Sequence, residues 1–238
     1  MDSTSICREF GNCRVIDFPA AGFESVDIEE LCNRFAWDED ASVVLFFFGP
    51  EINGLLEKKL EAGQNSPIEA IANLKQPVIA AIRGDCTGLC LELALACDIR
   101  IGVEGARFGL PQIQAGSIPS NGGTQRLPRL VGQGRALQML LTGELMDSPE
   151  ALRIGLLNRV VSPEALLHTA TELATVMAAK SPLSLSYSKE ALYRGRDLTL
   201  DQGIKMELDM YLLLFSTFDR TEGIAAFKER RKPEFRGN

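Results

Sequence analysis

The sequence predicts an α/β protein in which strands and helices alternate through the first part of the chain and helices dominate after Arg126. Three observations carry that prediction. "PVIAAIRG" (Pro77 to Gly84) is a continuous apolar run closed by glycine, the pattern of a strand buried on both faces of a parallel sheet. "SVVLFFF" (Ser42 to Phe48) is another β-branched and aromatic run of strand length. Helix-like segments lie between such runs, and the order strand, helix, strand predicts βαβ units with right-handed crossovers.

The elements follow in order. "CRVIDF" (Cys13 to Phe18) reads as a strand. "SVDIEELCNRFAW" reads as a short helix with Ser25 as its cap, and "SPIEAIANL" as another, capped by Ser66 with Pro67 at its first position. "GLCLELALA" is an apolar helix and "DIRIGV" the strand after it. Beyond Arg126, "GQGRALQMLLTG" and "SPEALRIG" read as helices and "LNRVVS" as a short strand. A long helix opened by Ser162 and Pro163 follows, "SPEALLHTATELATVMAAK". "SPLSLSYSKEALYRG" and "TLDQGIKMELDMYLLLFST" complete a helical C-terminal region. These segments divide the chain into a core over residues 1–180 and a helical region over 181–238.

Composition narrows the function. The 238 residues are 45% hydrophobic, enough for a substantial core, and carry a net charge of −7. That charge argues against a nucleic-acid surface. The basic run "FKERRKPEFR" (Phe227 to Arg236) is either a local phosphate site or a solvated tail. None of the six cysteines falls in a CxxC pair and the single His168 is far from all of them, which argues against a zinc site. Cys90 and Cys97 sit in an apolar stretch, where free cysteine behaves as a small hydrophobe. The N-terminal "MDSTSICREFGNCRV" has no signal-peptide pattern and no apolar run is long enough to span a membrane, so the expected compartment is the cytoplasm, with no membrane partner.

Several motifs then occur together: "QPVIAAIRGDCTGLCLELALACDIRIG", "ARFGLPQIQAGSIPSNGGTQRLPRLVG", "LLTGELMDSPEALRIGLLNRVV", "SPLSLSYSKEAL" and "FDRTEGIAAFKERRKPEF". In this order they resemble the crotonase superfamily, the enoyl-CoA hydratases and isomerases, from about Val43 to Phe235. The resemblance implies a crotonase-like spiral of βαβ turns with a C-terminal helical trimerisation region, self-association as a trimer or hexamer, and an acyl-CoA or acyl-carrier-protein thioester as ligand. Coenzyme A is then part of the substrate, and no further cofactor or metal is implied. It also implies an oxyanion hole, in which two fixed backbone N–H groups bind the thioester oxygen as it gains charge. Such a donor is worth roughly 3 kcal/mol when removed.

Carried onto this chain, the two glutamates of the hydratases fall on Glu92, in "GLCLELALACD", and on Gln112, in "GLPQIQAG". An amide can hold a water or a carbonyl but cannot exchange a proton, so the two-carboxylate arrangement is broken. The glycine-rich oxyanion turn becomes Gly88-Leu89-Cys90, with Leu89 at the donor position. The second donor position falls on Pro50 in "FGPEI", and proline has no N–H, so Glu51 or Ile52 is expected to take over. Pro111 and Gly116 shape the loop around Gln112 and complete the expected substrate-binding set. Glu92, among Leu91, Leu93 and Ala94, reads as catalytic, the alternative being an exposed and merely solvated glutamate. Burial is expected to raise its pKa against the lowering effect of the helix start. Asp98 reads as a structural hydrogen-bonding group and Gly122-Gly123 as a tight turn into a helix under the pocket. His168 reads as a surface residue, and Tyr187, Tyr193 and Tyr211 as core or interface residues.

Three functional hypotheses follow. The first is an enzyme that stabilises a thioester enolate with Glu92 as sole acid/base: an isomerase, a weak hydratase or a decarboxylase. The second is an acyl-CoA-binding module that has lost catalysis. The third is a partner subunit of an active homologue.

Overall fold

The structure is a computed structural model, which describes residues 7–18, 28–38, 40–61 and 67–238. Ser25 and Ser66, expected as helix caps, lie outside the described residues. Pro67 does open its helix.

The large sheet contains β1 (Cys7–Phe10), β2 (Cys13–Asp17), β3 (Val43–Phe48), β4 (Val78–Ile82), β6 (Ile99–Val103) and β9 (Arg159–Val161), in the order β1-β2-β3-β4-β6-β9. From β2 onwards every pairing is parallel. β1 pairs antiparallel with β2 through a hairpin at Gly11-Asn12, an element the sequence reading did not anticipate. A smaller sheet of β5 (Cys86–Thr87), β7 (Arg107–Gly109) and β8 (Met146–Asp147) runs beside the large one. Each turn of the chain therefore places a long strand in the first sheet and a short one in the second, as β4 then β5, and β6 then β7. The spiral expected from the motifs is this alternation.

β3 and β4 are buried along their whole length, which explains their uninterrupted apolar runs. The helices of the core are α1 (Ile28–Ala36), α2 (Ile52–Glu61), α3 (Pro67–Ala72), α4 (Leu89–Ala96), α5 (Gly123–Val131), α6 (Gln133–Thr142), α7 (Ser148–Arg153) and α8 (Leu166–Ala178). α8 packs across β2, β3, β4 and β6. α8 starts later than its Ser-Pro opening suggests, because Pro163–Ala165 form a 3-10 turn and the Ser162 side chain makes no cap bond. The C-terminal helices are α9 (Pro182–Gly195), α10 (Leu200–Leu213) and α11 (Phe218–Glu229).

α4 is buried from Cys90 to Ala96, so both of its ends need polar partners inside the protein. Arg100, 4% exposed, serves the C-terminal end: its guanidinium donates to the carbonyls of Cys97 (2.6 Å), Leu156 (2.8 Å) and Ala94 (3.4 Å). Asp98 is structural as expected, accepting from the Val78 N–H at 2.6 Å and pairing with Lys189 of α9 at 2.8 Å. That pair ties the C-terminal helices to the start of β4. Cys90 and Cys97 are fully buried free thiols, and His168 is exposed. Tyr193 and Tyr211 are not core residues; they are 42% and 55% exposed. In the basic run, Arg231 is paired with Glu222 and Glu229, and Arg236 lies over the Phe218 ring. No helix is long and apolar enough to cross a membrane among the described residues.

Candidate active site

Glu92 lies one turn into α4 and has no solvent exposure. Its Oε1 accepts the backbone N–H groups of Asn121 at 2.7 Å and Gly123 at 2.9 Å. Those donors come from the start of α5, where Gly122 adopts a left-handed φ of 93° that turns the chain into the helix. Gly123 leaves room for the carboxylate: a Cβ there would lie 3.0 Å from Glu92 Oε1 and 2.8 Å from Pro119 Cβ. Oε1 is thus anchored, and Oε2 faces the Gln112 amide, with Nε2 at 3.5 Å.

Burial pushes the Glu92 pKa above the usual carboxylate range, against the opposing pull of the Gly123, Asn121 and Ser120 N–H groups and of Arg126. The rise agrees with the expectation. Its main counterweight is the start of α5, a different helix from the one that carries Glu92.

Gln112 stands on a 3-10 turn, Pro111–Ala115, opened by Pro111 and closed by Gly116 at φ 69°. Gln114 ties the turn to the end of α6 by donating to the Gly143 carbonyl at 3.1 Å. The Oε1 of Gln112 is buried and has no hydrogen-bond partner among the described residues. A buried acceptor left unmet costs about 1–3 kcal/mol.

The turn expected to form the oxyanion hole runs through Gly88 and Leu89. Gly88 has φ 59° and ψ −129°, which glycine alone adopts readily, and its N–H donates to Gly109 at 3.0 Å. Leu89 is half-buried with its side chain packed against the core. Its N–H, the first of α4, has no acceptor among the described residues. Across from it, the chain passes from β3 into α2 through Gly49-Pro50-Glu51. Pro50 offers only its carbonyl, which accepts the Asn53 N–H at 3.2 Å, and Ile52 already donates to Gly49 at 3.2 Å. Ile52 is therefore corrected as a donor, because its N–H closes the turn. Glu51 keeps its N–H uncommitted among the described residues.

The reading from sequence missed two groups. The N–H groups of Asn121 and Gly123 hold Glu92, although the glycine pair had marked the turn that carries them. Asn53 links α2 to α4 and had no signal of its own. Among the described residues, no group of three or more His, Cys, Asp or Glu side chains is placed to hold a metal ion.

The site thus combines a spiral of paired sheets, a buried helix-borne carboxylate and a glycine turn with an uncommitted N–H. Comparison with known proteins is in agreement. The family model described as Enoyl-CoA hydratase/isomerase matches residues 46–238, and the chain belongs to that family. It is 40% identical over 184 residues to the short-chain-enoyl-CoA hydratase of Clostridium acetobutylicum, covering 77% of this chain and 70% of that protein. It is 41% identical over 196 residues to the 2,3-dehydroadipyl-CoA hydratase of Escherichia coli (strain K12), covering 81% and 77%. A Rhizobium meliloti (strain 1021) relative, 45% identical over 168 residues, is matched over 65% of its own length. The crystal structure of an enoyl-CoA hydratase from Bacillus anthracis superposes with a TM-score of 0.88 at 31% identity, covering 98% of both chains. The fold is the crotonase fold.

Proposed function

We propose that the protein binds an acyl thioester, acyl-CoA or acyl-carrier-protein, and stabilises its enolate with Glu92 as the sole acid/base. One observation carries this reading: a buried carboxylate anchored through Oε1 by two backbone N–H groups, with Oε2 held only by a long 3.5 Å bond from the Gln112 amide. The N–H groups of Leu89 and Glu51 are the donors for the thioester oxygen. A preorganised donor in a dry site stabilises developing charge more than it would in water.

The mechanism needs one mobile proton. Glu92 Oε2 takes a proton from the carbon next to the thioester carbonyl, the electron pair moves into the carbonyl, and the oxyanion is held by the two N–H groups. Returning the proton to a different carbon shifts a double bond, and one carboxylate suffices for that. The unmet Oε1 of Gln112 favours a second, slower outcome. A water donating to Gln112 Oε1 and to Glu92 Oε2 stands ready to add to an enoyl thioester, with Glu92 delivering the proton to the α-carbon. Isomerisation is the main reading and slow hydration the second. Self-association as a trimer or hexamer belongs to the same proposal.

The test is α-proton exchange. Incubation with butyryl-CoA or crotonyl-CoA in deuterated water, followed by NMR, is expected to show deuterium at the α-carbon. Glu92→Gln keeps the shape and removes the exchangeable proton, so exchange should stop while acyl-CoA affinity stays within a few-fold. Tight binding by the wild-type protein without any exchange would instead establish a binding module.

A further inference from the structure

Asn53 lies at the start of α2, far from Glu92 in sequence, yet it touches the first turn of α4. Its Oδ1 accepts the Cys90 N–H at 2.7 Å and lies 3.8 Å from where a Cβ on Gly88 would stand. The backbone N–H of Asn53 donates to Pro50, so the side chain is rooted in the turn that carries Glu51. The Cys90 Sγ also lies 3.4 Å from the Gly49 carbonyl oxygen and 3.1 Å from Cys86 Sγ, so its single proton serves one contact or the other. The two segments that present the free N–H groups of Glu51 and Leu89 are thus tied at Cys90 chiefly by its backbone bond to Asn53.

The first turn of a helix leaves its N–H groups without helical acceptors. Here the Glu92 N–H returns to Gly88 at 3.1 Å and the Cys90 N–H is taken by Asn53, while Leu89 is left open next to them. A side-chain amide is the suitable group for this task. It accepts one hydrogen bond with a fixed reach and adds no charge beside the position where an oxyanion forms. A carboxylate there would accept equally well but would repel the enolate.

We infer that Asn53 is a positioning residue that sets the spacing between the Leu89 and Glu51 N–H groups and thereby the polarisation of a bound thioester carbonyl. The inference rests on the thioester reading above. The geometric demand is strict, because donors act only within about 2.7–3.1 Å of the oxyanion position.

The experiment reads polarisation directly. Crotonyl-CoA labelled with ¹³C at the thioester carbonyl is bound to the full chain, and its C=O stretch is measured by difference infrared spectroscopy beside the α-proton exchange rate. In wild type the stretch is expected to move to lower frequency on binding. In Asn53→Ala the move should shrink by half or more, with exchange down about 10- to 100-fold, below the 10²- to 10³-fold lost with a whole donor, and KM within a few-fold. Asn53→Gln keeps the amide one methylene too far and favours the helix, so it secures the same readout should the alanine variant not fold. An unchanged stretch and exchange rate in these variants, with only a lowered melting temperature, would overturn the inference and leave Asn53 as a tie between helices. No shift in wild type would overturn the thioester reading instead.

Discussion

Gln112 donates its amide N–H to Glu92 Oε2 at 3.5 Å, from the position the proposed function gives to a missing second acid. Gln112→Glu would place two carboxyl groups at that separation, and like charges so close share a proton. The pair would then hold the acid and the base of a hydratase together. Crotonyl-CoA hydration is expected to rise about 10²- to 10⁴-fold in this variant, measured from the loss of enoyl absorbance. A wild-type rate already equal to that of a two-glutamate hydratase would defeat the argument. Glu92 makes a second prediction, about stability. Its pKa is raised in the folded state, so folding favours its neutral form. The stabilising protonation is complete below the unfolded pKa and is lost as pH rises through the folded one. Glu92→Gln, permanently neutral and still able to accept from Asn121 and Gly123, should therefore melt higher relative to wild type at pH 9 than at pH 5. Equal differences at the two pH values would show that the carboxylate bears no burial cost. Both residues were legible in the sequence, one as a charge in an apolar helix and the other as an amide in a turn-rich loop. The donors to Glu92 were not, since backbone N–H groups carry no side-chain signature.

Strands and helices were legible to different degrees, for reasons of burial. β3 and β4 are covered on both faces and show as unbroken apolar runs. β1 is half-exposed to exposed, and Cys7-Arg8-Glu9-Phe10 has no run to notice. α2 did leave a mark, Ile52, Leu55 and Leu56 at helical spacing and all buried, but the reading stopped at the turn before it, at Pro50. α11 depends on charge more than on apolar burial. Glu222 is 9% exposed and pairs with Arg231, which with the Glu234 N–H takes its pKa from the ordinary 4.5 down to about 2. A depressed carboxylate contributes its stability above the unfolded value and loses it as pH falls towards the folded one. Acid should therefore loosen the chain after α11 between about pH 4.5 and 2. Hydrogen exchange of the Glu234 amide is the check, and in Glu222→Gln its pH dependence over that window should disappear.

α9 to α11 carry many exposed apolar side chains. Leu192, Leu200, Ile204, Leu208, Tyr211 and Phe227 are between 52% and 86% exposed. Isolated exposed leucines need no explanation, but this many on neighbouring helices is what the proposed self-association would cover. Light scattering at micromolar concentration is expected to give the mass of a trimer or of two trimers. A mass near the single chain's 26.0 kDa would leave this face unexplained. The spiral architecture and the family were readable from motif order, because glycine turns, buried strands and helix starts leave fixed residue types in place. The proposed self-association left only exposed apolar side chains to read, since a partner's surface is not written in one chain's spacing.

The segment after α11 also settles how two carboxylates can live indoors. Asp219 is 2% exposed and accepts the N–H groups of Arg236 at 2.7 Å and Gly237 at 3.2 Å. Glu222 accepts the Glu234 N–H at 2.8 Å beside Arg231. The tail is thus their hydration shell, made of peptide in place of water. Deleting residues 233–238 would take away solvent for two anions along with a strip of polypeptide. The deficit should appear as a lower melting temperature of the truncated chain, with Arg231 the one partner left to Glu222.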